Sequence, residues 1–324
     1  MEIILQIILL VLGFVFLIRG ADWLVSGSSS IATSFKVSKL LIGLTIVAFG
    51  TSAPELAISI SSLINGTTDM LLGNVIGSNI LNVLLLIGIG ALICPIRVKK
   101  DTVRKEIPIL LLISTALVIL FLDISLTNET TNVISRSDAI ICLLFFGIFF
   151  YYLISLAHKN RALKTKKPEK PAYKLSKAFF ITIIGLVGLI AGSQLIVNSA
   201  SFLASTIGIS DRIIALTIVA FGTSLPELIT TITAAKRKET DLIVGNIIGS
   251  NIFNICIVMG LPVALFGGIT PESFQTIDLI MLIFSTILLF LFTRRDRKIT
   301  RLNGILMLLI FAGYYAFIIF EAFT

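Results

Sequence analysis

The sequence predicts an all-α polytopic membrane protein, with ten transmembrane helices forming two inverted five-helix repeats. Three observations carry that prediction. First, 56% of the 324 residues are hydrophobic and only 14% are charged, whereas a soluble domain is about 45–50% apolar and about 25% charged; mean hydropathy is +1.04. Second, apolar runs about twenty residues long, enough to cross a bilayer, recur from end to end. Third, one segment occurs twice. Leu44 to Ser52 and Leu216 to Ser224 both read LTIVAFGTS, followed by Pro54-Glu55 and Pro226-Glu227. GNVIGSNILN at Gly73–Asn82 then matches GNIIGSNIFN at Gly245–Asn254, always at an offset of 172 positions, which also relates Gly20 to Gly192.

The expected spans are 3–25, 39–63, 71–93, 107–122, 138–157, 178–202, 211–235, 242–266, 276–292 and 302–322. The first has no basic stretch before it and is too long for the apolar core of a signal peptide, so it counts as a span. The loops alternate in charge. Lys36 and Lys39 follow span 1, Arg97 to Lys105 follow span 3, Lys159 to Lys177 follow span 5, Lys236–Lys238 follow span 7, and Arg294 to Arg301 follow span 9. The intervening loops carry only Arg136 and Arg212. A net charge of +8 could suggest nucleic acid, but basic residues confined to alternate short loops act as topology signals. They put those loops in the cytoplasm, both termini outside, and the chain in the plasma membrane as a multi-pass protein. Residues 1–157 then form the first repeat, 158–177 a flexible cytoplasmic linker rich in Lys and Pro, and 178–324 the second repeat. Five spans per repeat make the second copy enter the membrane from the opposite side, an arrangement of several secondary transporters. Cys94, Cys142 and Cys256 show no disulfide or metal-ligand spacing and read as packing residues.

The chemistry concentrates in the duplicated segments. Glu55 and Glu227 lie deep inside their spans, where an ionisable group costs several kcal/mol unless it faces a cavity, a partner or an ion. A protonated glutamate bonded between helices would explain one such residue; two at matched positions point to a cation site. Asp22, near the predicted end of its span, reads as interface-facing. Pro54 and Pro226 lack an amide hydrogen, and Gly50 and Gly222 weaken the helix, so each helix should break at GTSxPE and free carbonyls around Ala48–Gly50 and Ala220–Gly222. Thr51, Ser52, Thr223 and Ser224 add hydroxyls, with helix packing as their alternative role. Asn74, Ser78 and Asn82 form an i, i+4, i+8 stripe, repeated at Asn246, Ser250 and Asn254. Such residues also pack membrane helices, and Gly73 and Gly77 suggest close approach; packing is the stronger reading for Asn74 and Asn79. The inventory is all oxygen, which suits Ca²⁺ and Na⁺ rather than soft transition metals. One Ca²⁺ or two Na⁺ would neutralise two ionised glutamates, so the two cations should compete.

Paired GTSxPE segments, each followed by GNxxGSN, resemble the cation/calcium antiporter superfamily, and in particular its prokaryotic sodium/calcium exchanger branch. The resemblance covers nearly the whole chain. It implies a ten-helix fold with four clustered ion sites, no enzyme activity and no cofactor beyond the transported Ca²⁺ and Na⁺. Glu55 and Glu227 would be shared ligands. Thr51 and Thr223 would serve Ca²⁺; Ser52, Ser224, Ser78, Ser250 and the Ala48 and Ala220 carbonyls would serve Na⁺; Asn82 and Asn254 would flank the centre. Coupling would be three Na⁺ to one Ca²⁺. Several relatives, potassium-dependent ones among them, carry Asp at the position matching Asn254, so Asn there argues against K⁺ transport. The linker cannot hold the calcium-sensing insert of animal exchangers. A proton/calcium antiporter is the runner-up, and a cation channel or a membrane scaffold the readings from other classes. The expected partners are the ions and the bilayer, with a monomer the simplest state.

Overall fold

A computed structural model describes residues 2–124, 131–162, 171–208, 220–270 and 276–323. Part of the expected linker, 163–170, and part of the expected seventh span, 211–219, lie outside the described residues. The first helix, α1, covers Glu2–Phe35. A broken pair follows, α2 (Lys39–Thr51) and α3 (Ala53–Ile64), then α4 (Thr68–Ile93), the strand β1 (Ile96–Arg97), α5 (Lys100–Arg104), α6 (Glu106–Leu120) and α7 (Arg136–Ala162). Beyond the linker come α8 (Leu175–Thr206), α9 (Ala220–Thr223), α10 (Leu225–Lys236), α11 (Thr240–Phe266), α12 (Thr276–Arg294), β2 (Lys298–Ile299) and α13 (Arg301–Phe323).

Among the described residues, seven helices are long and apolar enough to cross a membrane unaided, and the bent pair α2–α3 makes an eighth candidate. Helix α6 has only 15 residues, about 22 Å at 1.5 Å per residue, short of a full hydrocarbon core. The strands amend the all-α expectation. They pair antiparallel, Ile96 with Ile299 and Arg97 with Lys298, and join the basic loops that precede α6 and α13. An isolated bridge between Ile134 and Ile269 joins the loop before α7 to the one after α11. The all-helix pattern fails at these places because short apolar-polar pairs between helices supply backbone groups that must find partners.

The helices sort into centre and rim. The most apolar window of α11 is 94% buried and that of α4 is 72% buried, whereas those of α1 and α13 are each 17% buried and that of α7 is 22%. The motif helices α4 and α11 thus form the core; α1 and α7, the two most apolar, face outward, and so does α13. Helix α1 runs ten residues past its expected end at Val25, which leaves Asp22 inside the helix.

Helices α1 and α8 lie backbone to backbone. A Cβ on Gly20 would sit 2.8 Å from the Gly185 carbonyl, and one on Gly192 would sit 2.7 Å from that of Gly13. Only glycine permits that approach. The contacts are reciprocal under the 172-residue offset, since Gly13 and Gly20 correspond to Gly185 and Gly192.

Both predicted breaks are present. Ser52 (φ −84°, ψ 10°) ends α2, the axis bends by 43°, and Pro54 occupies the first turn of α3. Ser224 (φ −86°, ψ 4°) and Pro226 repeat this before α10. Among the described residues, three π-helical turns were not expected. They cover Gly43–Val47, Asn82–Leu86 and Asn254–Met259, the last two each starting on a motif asparagine.

Candidate ion-binding site

Because each helix restarts after its serine, Glu55 and Glu227 fall in the first turns of α3 and α10. There the unpaired amides and the helix dipole favour negative charge. Both carboxylates are 1% exposed. Each is held by the other copy: Ser52 Oγ donates to Glu227 Oε1 at 3.2 Å, and Ser224 Oγ donates to Glu55 Oε1 at 3.5 Å. The second oxygens, Glu55 Oε2 and Glu227 Oε2, are buried without a hydrogen-bond partner among the described residues. Nor is any Lys or Arg buried among those residues. Two carboxylates therefore converge with no protein cation to balance them.

The sequence-predicted residues assemble around this pair. Thr51, Ser52, Ser78, Asn82, Thr223, Ser224, Ser250 and Asn254 are all buried. Thr51 Oγ1 donates to Asn246 Oδ1 at 3.2 Å, tying α2 to α11. Ala220 opens α9. The expectation of a bare Ala48 carbonyl needs correction. It accepts the Ser52 amide at 3.1 Å and the hydroxyls of Thr51 and Ser250, each at 3.4 Å. The break exposes this carbonyl, and neighbouring donors then find it; the two long hydroxyl bonds are the weakly held ones. Gly222 is treated likewise, its carbonyl accepting from Ser193 Oγ of α8 at 2.5 Å.

The core helices supply amides. Asn82 Nδ2 donates to Asn251 Oδ1 at 2.9 Å. Asn79 and Asn251 bond each other's backbone, Asn79 Nδ2 to the Asn251 carbonyl at 3.4 Å and Asn251 Nδ2 to the Asn79 carbonyl at 3.2 Å. Asn82 Oδ1 and Asn254 Oδ1 are buried with no hydrogen-bond partner among the described residues. Asn74 takes the packing role that was its stronger reading: its amide bonds the Glu55 carbonyl at 3.1 Å and Ser59 Oγ at 3.3 Å, stapling α4 to α3 behind the carboxylate. Gly73 and Gly77, expected to mark a close helix approach, have nothing within 4 Å of an added Cβ; it is their counterparts Gly245 and Gly249 that make such contacts, against Leu40 and Leu44 of α2, because α11 is the helix enclosed at the centre. The sequence reading missed Ser193 and the Asn79–Asn251 pair. The offset held a signal for that pair, since residues at matched positions that touch each other must lie where the two copies meet.

Among the described residues, five buried carboxylate and amide oxygens (Glu55 Oε2, Glu227 Oε2, Asn79 Oδ1, Asn82 Oδ1 and Asn254 Oδ1) thus lack a hydrogen-bond partner in a centre of carboxylates, amides and hydroxyls. All of these donors are oxygens, the set that suits a hard cation.

A polytopic helical protein whose core helices converge on two unbalanced carboxylates belongs, as a class, to the membrane cation carriers. The chain is a member of the sodium/calcium exchanger protein family, whose model matches residues 5–155 and 177–320. It is a transporter, not an enzyme, and its class is cation/Ca²⁺ antiport. It is 37% identical to the putative antiporter CaxA of Alkalimonas amylolytica, over 95% of this chain and 96% of that one. It is 29% identical to the sodium/calcium exchanger MaX1 of Methanosarcina acetivorans, over 95% and 96%. The sodium-calcium exchanger NCX_Mj, in a structure soaked with Na⁺ and Sr²⁺, superposes with a TM-score of 0.83 at 34% identity, covering 97% of this chain and 98% of that one.

Proposed function

We propose that this protein exchanges Na⁺ for Ca²⁺ across the plasma membrane by alternating access, with three Na⁺ moving against one Ca²⁺. The observation that carries the reading is the crossed pair of buried carboxylates, each bonded to the serine of the other copy and each keeping one oxygen without a partner. Two charges of −1 suit one Ca²⁺ or two Na⁺, and a third Na⁺ would rest on neutral oxygens near Asn82 and Asn254. Glu55 and Glu227 are the shared ligands; Thr51 and Thr223 complete the Ca²⁺ site; Ser52, Ser78, Ser224, Ser250 and the Ala48 and Ala220 carbonyls serve Na⁺.

We further propose ten crossings in two inverted repeats, 1–157 and 178–324, joined by a cytoplasmic 158–177 linker, with both termini outside. The β1–β2 ribbon supports this reading by joining two basic loops, and the Ile134–Ile269 bridge by joining two loops of the other set. The reciprocal contacts of α1 with α8 and of Asn79 with Asn251 are those a two-fold relation demands.

The test is ⁴⁵Ca²⁺ uptake into proteoliposomes loaded with Na⁺, K⁺ or choline, or bearing a pH gradient. Uptake that requires internal Na⁺ is the expected result. Equal uptake with K⁺ or choline inside refutes Na⁺ coupling, and uptake driven by the pH gradient alone makes the protein a proton/Ca²⁺ antiporter.

A further inference from the structure

A cavity of about 380 Å³ lies where α1, α2 and the turn before α10's successor helix meet residues 171–173, on the face of the basic loops. Its wall includes Ser26, Ser29, Ser30 and Thr33 of α1, together with Lys39, Arg237 and Glu239. Two ion pairs cross it. Arg237 Nη2 lies 2.9 Å from Asp22 Oδ1, with Arg237 Nη1 on Ser26 Oγ at 2.5 Å; Lys39 Nζ lies 2.7 Å from Glu239 Oε1. Arg237 caps the C-terminal end of α10, the helix whose first turn carries Glu227. By helical period Glu227, Thr230, Ala234 and Arg237 share one face of α10, spanning about 15 Å at 1.5 Å per residue. Thr230 Oγ1 on that face and Ser29 Oγ in the cavity wall are buried without hydrogen-bond partners among the described residues.

The opposite face is built differently. At the 172-residue offset, Gln194 stands for Asp22, Asn198 for Ser26, Asn65 for Arg237 and Thr67 for Glu239. Gln194 bonds Asn198 within α8 at 2.8 Å, and Asn65 bonds Ser61 at 3.3 Å. Neither ion pair has a counterpart at the matched positions. A carrier built from two equivalent halves has no reason to prefer either side. Among the described residues, charge pairs fasten α1 and α2 to the end of α10 on the basic-loop face, whereas Gln194, Asn198, Asn65 and Thr67 at the matched positions carry no charge.

We propose that this cavity is the closed mouth of the ion path leading to Glu227 from the basic-loop face, and that Arg237 and Lys39 act as tethered cations. They occupy the carboxylates Asp22 and Glu239 that an arriving Na⁺ or Ca²⁺ would meet. Their one-sidedness biases the carrier toward the state closed on that face. The proposal rests on the exchange reading above. Its test uses two single substitutions at matched positions, Ser29→Cys and Ser201→Cys, in full-length protein carrying Cys94→Ser and reconstituted in vesicles. Each is labelled with a membrane-impermeant cationic thiol reagent from either face. Adding Arg237→Gln should speed labelling of the Ser29→Cys protein several-fold from the basic-loop face and slow that of the Ser201→Cys protein from the opposite face. The charge-swapped pair Asp22→Arg with Arg237→Asp should bring both rates back. Unchanged rates overturn the proposal, and so do rates that rise at both positions, which would mark Arg237 as a structural tie only. In the same vesicles Glu227→Gln should abolish Na⁺-dependent ⁴⁵Ca²⁺ uptake. Uptake that survived would sink the exchange reading and this path with it, whereas lost uptake with labelling insensitive to Arg237→Gln sinks the latch alone.

Discussion

Glu227→Gln separates the charge of the site from its shape. The amide is isosteric with the carboxylate, so its oxygen can keep accepting from Ser52, a bond now 3.2 Å long. Its nitrogen then takes the place of Oε2, which has no hydrogen-bond partner among the described residues. An unpaired buried donor costs about 1–3 kcal/mol, but the substitution also removes a buried carboxylate charge that no Lys or Arg balances. The ion-free protein should therefore melt within a few degrees of the wild type. Binding should change far more. Removing one partner of a buried charge pair costs about 3–5 kcal/mol, roughly two to four orders of magnitude in affinity. Coulomb energy scales with the product of the charges, so the loss for Na⁺ should be about half as large on a logarithmic scale, roughly one to two orders. Wild-type protein at 100 times its Kd for Ca²⁺ gains about 2.7 kcal/mol of stability from binding, and the variant should gain no more than about 0.4 kcal/mol at that concentration. Equilibrium binding of ⁴⁵Ca²⁺ and ²²Na⁺ to purified protein, with thermal melts in parallel, reads all of this. Wild-type exchange in the variant, or equal logarithmic losses for the two ions, would refute a role for Glu227 as a shared charged ligand.

Further consequences follow from neighbouring contacts. Ser52→Ala and Ser224→Ala each delete a hydroxyl on the opposite carboxylate, and should raise the Na⁺ concentration for half-maximal exchange several-fold, about 1 kcal/mol each; an unchanged Na⁺ dependence would remove those serines from the site. Asn251→Ala removes the acceptor of the Asn82 amide and the donor to the Asn79 carbonyl and should destabilise the protein by about 1–3 kcal/mol, seen as a lower melting temperature even without ions. Gly20→Val drives a side chain into the α8 backbone, 2.7 Å from the Leu189 amide nitrogen, costing about 1–3 kcal/mol or more; Gly147→Ala, with nothing within 4 Å of its Cβ, should melt as wild type. At three Na⁺ per Ca²⁺ each cycle moves one net charge, worth about 2.3 kcal/mol per 100 mV, so an inside-positive potential imposed with valinomycin should accelerate Ca²⁺ entry into Na⁺-loaded vesicles. Indifference to that potential would reduce the coupling to two for one.

What was legible in the sequence was whatever acts through local chemistry. Pro54 and Pro226 remove an amide wherever they fall, so both breaks could be placed within the GTSxPE segments, where they fall at Ser52 and Ser224. The carboxylates could be singled out because burial at that depth is costly in any fold. The carbonyls were a harder matter. That Ala48 would be found by Ser250, or Gly222 by Ser193, depends on which helix lies alongside, and spacing along one helix says nothing of that. The π-turns at Asn82 and Asn254 were hidden for the same reason: the extra residue per turn answers to packing across helices, not to local propensity. The end of α1 was misjudged because Ser26 to Thr33 break the apolar run. Their hydroxyls bond the carbonyl one turn back, as Ser28 does to Leu24 at 2.5 Å and Thr33 to Ser29 at 2.9 Å, and so satisfy themselves inside the helix.

Duplication also accounts for the character of the site. Each carboxylate is bonded by the serine of the other copy, so neither half of the chain can build the centre alone, and a shift of one half relative to the other alters both carboxylates' surroundings together. On the exchange reading this coupling is what antiport needs. A cage of charge −2 that no protein cation balances is unfavourable when empty, and its two glutamates cannot be lent to Ca²⁺ and Na⁺ at once. Alternation with one ion or the other bound stays accessible, while alternation with the cage empty carries two bare buried charges between states. A leak would require a neutral substitute for the ions, such as protons on both glutamates. On that reading the Asn82 and Asn254 oxygens would supply a place for one further monovalent ion without a third carboxylate, and that ion, held by dipoles alone, would be the one whose departure opens the cage to Ca²⁺.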